Sequence, residues 1–115
     1  MKKYFILFAM FLGISFNSFA NAKKVDYNFE FNSEKIKTYL NLDSIQNEEV
    51  KTIHYNFKKA MLHVPEIEDE KVKEQYIRNG IDYVLLNMSL VLDEKQYRKY
   101  LRVLNVTFHN KGILI

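Results

Sequence analysis

Histidine is the side chain best suited to metal binding or to proton transfer near neutral pH. This chain has three, His54, His63 and His109, and no cysteine to complete a ligand set. A helical zinc site of the H-E-x-x-H kind needs two histidines four residues apart around a glutamate. His54 and His63 are nine positions apart, which places them on different sides of one helix, and His109 is remote from both. All three read as surface histidines. Carboxylates are densest in "EIEDE", Glu66–Glu70, which lacks the spacing of a calcium loop and is of a kind that favours the start of a helix. There is no glycine-rich phosphate cradle, no G-x-S-x-G elbow and no nucleophile set beside a base. The expectation is a protein that is not an enzyme and needs neither a metal nor a cofactor.

The repeated phrase in the chain has a structural meaning instead. "LDSIQ", Leu42–Gln46, returns as "LDEKQ", Leu92–Gln96. Asp43 can accept a hydrogen bond from the free backbone N–H groups of a first helical turn. Gln46, three residues on, can reach back to the N–H of the cap residue, so that Asp-x-x-Gln works as a capping box. Asp93 and Gln96 repeat the device. Leu42 and Leu92, each just before its cap, stand where a hydrophobic staple fixes the angle at which the chain enters the helix. Two helices are predicted to start at these phrases.

The remaining elements follow from periodicity. Residues 1–22 read as a secretory signal peptide: Lys2 and Lys3, an apolar run from Tyr4 to Phe16 and the small-x-small site Ala20-Asn21-Ala22. Cleavage is expected after Ala22, with Ala20 as the alternative. The run is shorter than the ~20 residues a bilayer span needs, so no integral membrane segment is expected in the mature chain, which would be periplasmic or secreted. Without Lys2 and Lys3 the 17 basic residues fall to 15 against 14 acidic ones, a balance with no global attraction to nucleic acid. Residues 23–32 form an extended arm: Val25, Tyr27, Phe29 and Phe31 alternate with polar residues at the period of a half-buried strand. The arm is expected to lie on the helices or on a neighbouring subunit. Residues 33–112 then form one all-α domain, a small antiparallel helical hairpin or bundle, with 113–115 as a tail. It comprises a short helix from Ser33 with Ile36, Tyr39 and Leu40 inward, and three main helices. These run from Asp43 to about Val64, from near Asp69 to about Leu92, and from Asp93 to about Asn110.

Three surfaces are candidates for binding. Lys51, Tyr55, Lys58 and Leu62 make a mixed basic and apolar stripe opposite the core line Val50, Ile53, Phe57, Met61 and Val64. Lys95, Arg98, Lys99 and Arg102 gather as a basic stripe on the last helix, suited to acidic protein segments or envelope polyanions. The Asp69–Leu92 helix is apolar on two sides. Its second side, marked by Tyr76, Tyr83 and Leu90, is the candidate dimer face, because such a helix must be covered twice. A homodimer, or an arm folded over that face, is the expectation.

With "YLNLDSIQ" and "SLVLDEKQYRKYLRVL" in place behind a signal peptide, and no cysteine, the chain resembles the LTxxQ-motif family of the bacterial periplasm, the Spy- and CpxP-like proteins. The likeness covers Tyr39 to about Leu104, with Asp43 and Asp93 where the family has threonine. It implies helical hairpins that dimerise into a curved cradle and a role in envelope stress, as an ATP-independent holdase for unfolded clients or as a regulator of a sensor kinase. The chain is also similar in texture to small secreted helical proteins of Bacteroidetes, for which no activity is implied. The alternative expectation is a structural or regulatory module that binds one specific envelope protein and has no chaperone activity.

Overall fold

The computed structural model describes residues 25–113. Among them are four α-helices and no strand: α1 (Ser33–Leu40), α2 (Ser44–Met61), α3 (Glu70–Val91) and α4 (Glu94–Asn110), with one 3-10 turn, Val64–Glu66, between α2 and α3. The expected leader, residues 23–24 of the arm and residues 114–115 lie outside the described residues.

Each helix begins where a side chain satisfies the free N–H groups of its first turn. Asn32 accepts from the Lys35 N–H at 3.0 Å, Asp69 from Val72 at 3.0 Å, Asp43 from Gln46 at 2.7 Å and Asp93 from Gln96 at 2.8 Å. Helix ends are equally explicit. Asn41 takes the left-handed conformation (φ 56°, ψ 53°), and the Leu42 N–H reaches back to the Lys37 carbonyl at 3.0 Å. Gly112 does the same after α4 (φ 89°), with Ile113 N–H on the Phe108 carbonyl at 2.8 Å. Both closures are Schellman motifs, each followed by a buried apolar residue, Leu42 or Ile113. Ile113, expected to begin a tail, is therefore part of the core. α2 stops at Met61 rather than near Val64. A proline ring collides with the carbonyl four residues before it, and for Pro65 that carbonyl belongs to Met61.

The hairpin of α2 and α3 is the spine. Contacts run 60 to 76, 56 to 83 and 46 to 91, the order of an antiparallel pair. At the crossing stands Gly80, where an added Cβ would lie 2.6 Å from the Met61 methyl and 3.4 Å from the Phe57 ring, so a larger residue there would require the end of the Met61 side chain to move. α4 returns parallel to α2, with contacts 46 to 96 and 54 to 100. The predicted core line Val50, Ile53, Phe57, Met61 and Val64 is buried throughout. Ile77, Ile81, Val84, Leu85 and Met88 of α3 meet Tyr97, Tyr100, Leu104 and Phe108 of α4 in the same core. Tyr39 departs from expectation, being 43% exposed. Ile36 and Leu40 fill the inner line of α1, and Tyr39 lies instead beneath the Lys99 ammonium, 5.1 Å from its ring centre.

The arm is laid over α2 and α4 of its own chain. Phe29 is fully buried edge-on to Phe57 and Phe108, and Phe31 stacks on His54. Its polar side is tied down at both ends. Lys111 reaches Asp26 at 3.0 Å and the Asn28 carbonyl at 2.6 Å, and Glu30 pairs with Lys58. The Asn28 N–H and the Lys111 ammonium hold the Asp26 carboxyl below its ordinary pKa. Burial, with the charge of Glu70 nearby, pushes the Tyr27 hydroxyl up to about 12.

Candidate functional site

His54 is not a surface residue. It is 6% exposed, sandwiched between Phe31, whose ring lies parallel at 3.7 Å, and Tyr100, whose hydroxyl is 2.8 Å from Nε2. The position explains this. His54 lies four residues after Val50 and three before Phe57, at the edge of the core stripe, and the arm closes over it. Tyr100 is 0% exposed, and its O–H is satisfied by donating to an unprotonated Nε2, which assigns the proton of the neutral ring to Nδ1. Burial pushes the His54 pKa down to about 3 and the Tyr100 hydroxyl well above its ordinary value. A pair so arranged is a core contact and offers no base to a substrate. His63 and His109 are exposed, and among the described residues no group of His, Cys, Asp and Glu is placed to hold a metal ion.

The repeated phrase does more than start two helices. Both capping boxes are complete, with the Gln46 and Gln96 side-chain oxygens accepting from the Asp43 and Asp93 N–H groups at 3.1 and 3.0 Å. The two amides then face one another. Gln46 Nε2 donates to Gln96 Oε1 at 2.9 Å, and Gln96 Nε2 to Gln46 Oε1 at 3.2 Å. Each amide also donates to the end of the helix preceding the other phrase, Gln46 to the Val91 carbonyl at 3.0 Å and Gln96 to that of Leu40 at 3.1 Å. The backbone N–H groups that face Oε1 fix both amide orientations. The result is a reciprocal clasp that closes two helix ends with two helix starts. Leu42 and Leu92 are buried beside it at 6% and 4% exposure. Leu92 meets a stapling partner of the right kind in buried Tyr97, whereas the residue in that place for Leu42 is Asn47, so Leu42 owes its burial to the Schellman closure of α1.

Single Gln46→Ala and Gln96→Ala variants should each lose about 1–3 kcal/mol. The double variant should lose less than their sum, with a coupling of about 0.5–3 kcal/mol, because the first substitution already strips the second amide of its partner. Urea unfolding of the four proteins measures this, and additive losses would show that the amides act only as separate caps.

The α2 stripe stays at the surface, with its members differently engaged. Tyr55 is 60% and Leu62 48% exposed. Lys51 pairs with Glu48 at 3.4 Å, and Lys58 is committed to the arm through Glu30. Lys59, outside the predicted set, stands 5.4 Å over the Tyr55 ring. On α4, Arg98 pairs with Glu94 at 3.3 Å and Lys99 donates to the Tyr39 carbonyl at 3.3 Å. Lys95 and Arg102 are exposed and have no carboxylate partner among the described residues. The four cations share a face, but only these two are uncommitted.

On α3 the two tyrosines turn toward α2. The Tyr76 hydroxyl donates to the Ala60 carbonyl and the Tyr83 hydroxyl accepts from Asn56, both at 2.9 Å. They line a shallow cavity of about 310 Å³ along the hairpin with Gly80. The face left open is formed by Leu90 at 74%, Val72 at 56% and Leu86 at 52% exposure. Among the described residues of the arm, Phe29 and Phe31 pack on α2 and α4 instead.

No known protein family, curated protein or solved structure matches this chain at a significant level.

Proposed function

We propose that the protein is a non-enzymatic binding protein of the cell envelope, periplasmic or secreted, that holds other polypeptides in the manner of a chaperone and works as a homodimer. The carrying observation is that the hairpin spends its best-packed apolar residues in the core and still leaves large ones outside on both helices. Tyr55 and Leu62 stand among lysines on α2, and Leu86 and Leu90, one turn apart, stand together on α3, with Val72 exposed nearer its start. Isolated exposed apolar residues are ordinary, but grouped ones mark contact surfaces. The basic surroundings on α2 suit weak, adaptable contacts with unfolded chains, and the more apolar α3 face suits a second copy. The capping clasp supports the likeness to the LTxxQ-motif family, since it gives the cap and the glutamine of both phrases a common purpose.

A client-suppression assay tests the reading. The purified protein should suppress aggregation of unrelated unfolding proteins near stoichiometry, and Tyr55→Asp combined with Lys51→Glu should remove most of that effect. Lys58 is left unchanged because it holds the arm. Sedimentation equilibrium with Leu86→Asp and Leu90→Asp, both exposed and free of internal bonds, should show a dimer split to monomers. Absence of suppression by the wild-type protein would leave the alternative, a module for one specific envelope partner, which the adjacency of Leu86 and Leu90, both exposed one turn apart, favours.

A further inference from the structure

A separate trough of about 510 Å³ runs between α1 and α4, on the other side of the arm from the α2 stripe. Its floor is apolar: Phe31 from the arm, Ile36 and Tyr39 from α1, and Val103 and Val106 from α4. Val106 is 57% and Tyr39 43% exposed, so the floor is open to solvent. Lys35 and Arg102 stand at its lip from opposite helices, neither with a carboxylate partner among the described residues. The carboxylate that lines the trough, Glu30, is already paired with Lys58. An uncompensated pair of cations over an apolar floor is complementary to an anion that carries a hydrocarbon tail.

We infer that this trough binds a single-chain alkyl carboxylate, its head between Lys35 and Arg102 and its tail along Phe31, Ile36, Val103 and Val106. The volume lies within the range of small-molecule sites. A peptide fits the same charges less well. Its N–H and C=O groups would come to rest on a floor whose helical backbone groups are already paired, and each one buried without a partner would oppose binding. An alkyl chain brings none. This site is independent of the polypeptide-binding reading and uses none of its residues.

Isothermal titration of the purified protein with decanoate, below its micelle concentration, tests the assignment. Saturable binding at one site is expected, with no binding of acetate, which lacks the tail, or of decyltrimethylammonium, which reverses the head. Arg102→Glu and Val106→Asp, both at exposed positions, should each weaken binding at least tenfold, while Lys95→Glu, the same charge change on the same helix outside the trough, should leave it unchanged. Equal weakening by Lys95→Glu, binding of the cationic amphiphile, or displacement of decanoate by an acidic peptide of matched charge would each overturn it.

Discussion

Phe29→Ala should lower the free energy of unfolding by about 3–5 kcal/mol, the range for emptying a fully buried aromatic site, although Phe29 belongs to no helix. The ring has no solvent exposure and stands 5.0 Å from Phe57 at 65° and 5.3 Å from Phe108 at 71°, the edge-to-face geometry that aromatic pairs prefer. Phe57 and Phe108 come from α2 and α4, so the arm residue fills a site between the first and last long helices. A domain of this size has only about 5–15 kcal/mol in total, so the variant should give up a large share of it. Urea unfolding followed by circular dichroism gives the answer. A loss under about 1 kcal/mol, with helix content and cooperativity intact, would mean that the arm can leave without the core noticing. Glu30→Gln is the contrast: its pair with Lys58 is exposed, and exposed pairs contribute about 0–1 kcal/mol. The arm is held by its aromatic side, and its charges set its register.

What the sequence makes legible is local. Asp43, Gln46, Asp93 and Gln96 announce two helix starts because a capping box needs only four adjacent residues, and the alternation of Val25 to Phe31 announces an arm for the same reason. The pairing of Gln46 with Gln96 spans fifty positions and leaves no periodic trace, so the reason for the repeat emerges only when α4 is seen returning parallel to α2. Tyr76 and Tyr83 show the same limit. Their spacing puts them on a second apolar side of α3, but whether their hydroxyls find Ala60 and Asn56 or a second subunit depends on how closely α2 approaches, which is a matter of tertiary packing. The trough between α1 and α4 was unreadable because its two cations, Lys35 and Arg102, are separated by most of the domain. His54 is different, since its signal was present. Its place between Val50 and Phe57 is a core position, and only the polarity of its side chain argues for the surface.

That buried histidine makes the fold sensitive to acid in a definite window. The unfolded chain takes up a proton at His54 below its ordinary pKa of 6.5, whereas the folded protein resists until about 3. The unfolded state therefore binds more protons between those values, and stability that is complete above pH 6.5 is lost as the pH falls. The slope is about 1.4 kcal/mol per pH unit, so roughly 2 kcal/mol should be gone by pH 5. Geometry agrees with the sign. A protonated Nε2 would leave the Tyr100 hydroxyl proton without its acceptor and place a charge in a buried site. Asp26, held below its ordinary pKa of 3.8, contributes in the same direction only at lower pH. Burial raises the Asp82 carboxyl pKa, which acts with the opposite sign, so in the interval from 6.5 to 5 the difference between the wild-type protein and a variant without the imidazole isolates the histidine. His54→Gln keeps an acceptor for Tyr100 and carries no titrating group. Urea unfolding at several pH values should show the slope in the wild-type protein and its loss in His54→Gln. A wild-type protein indifferent to pH in that interval, or a variant that keeps the slope, would place the proton uptake elsewhere and return His54 to the role of a simple packing residue.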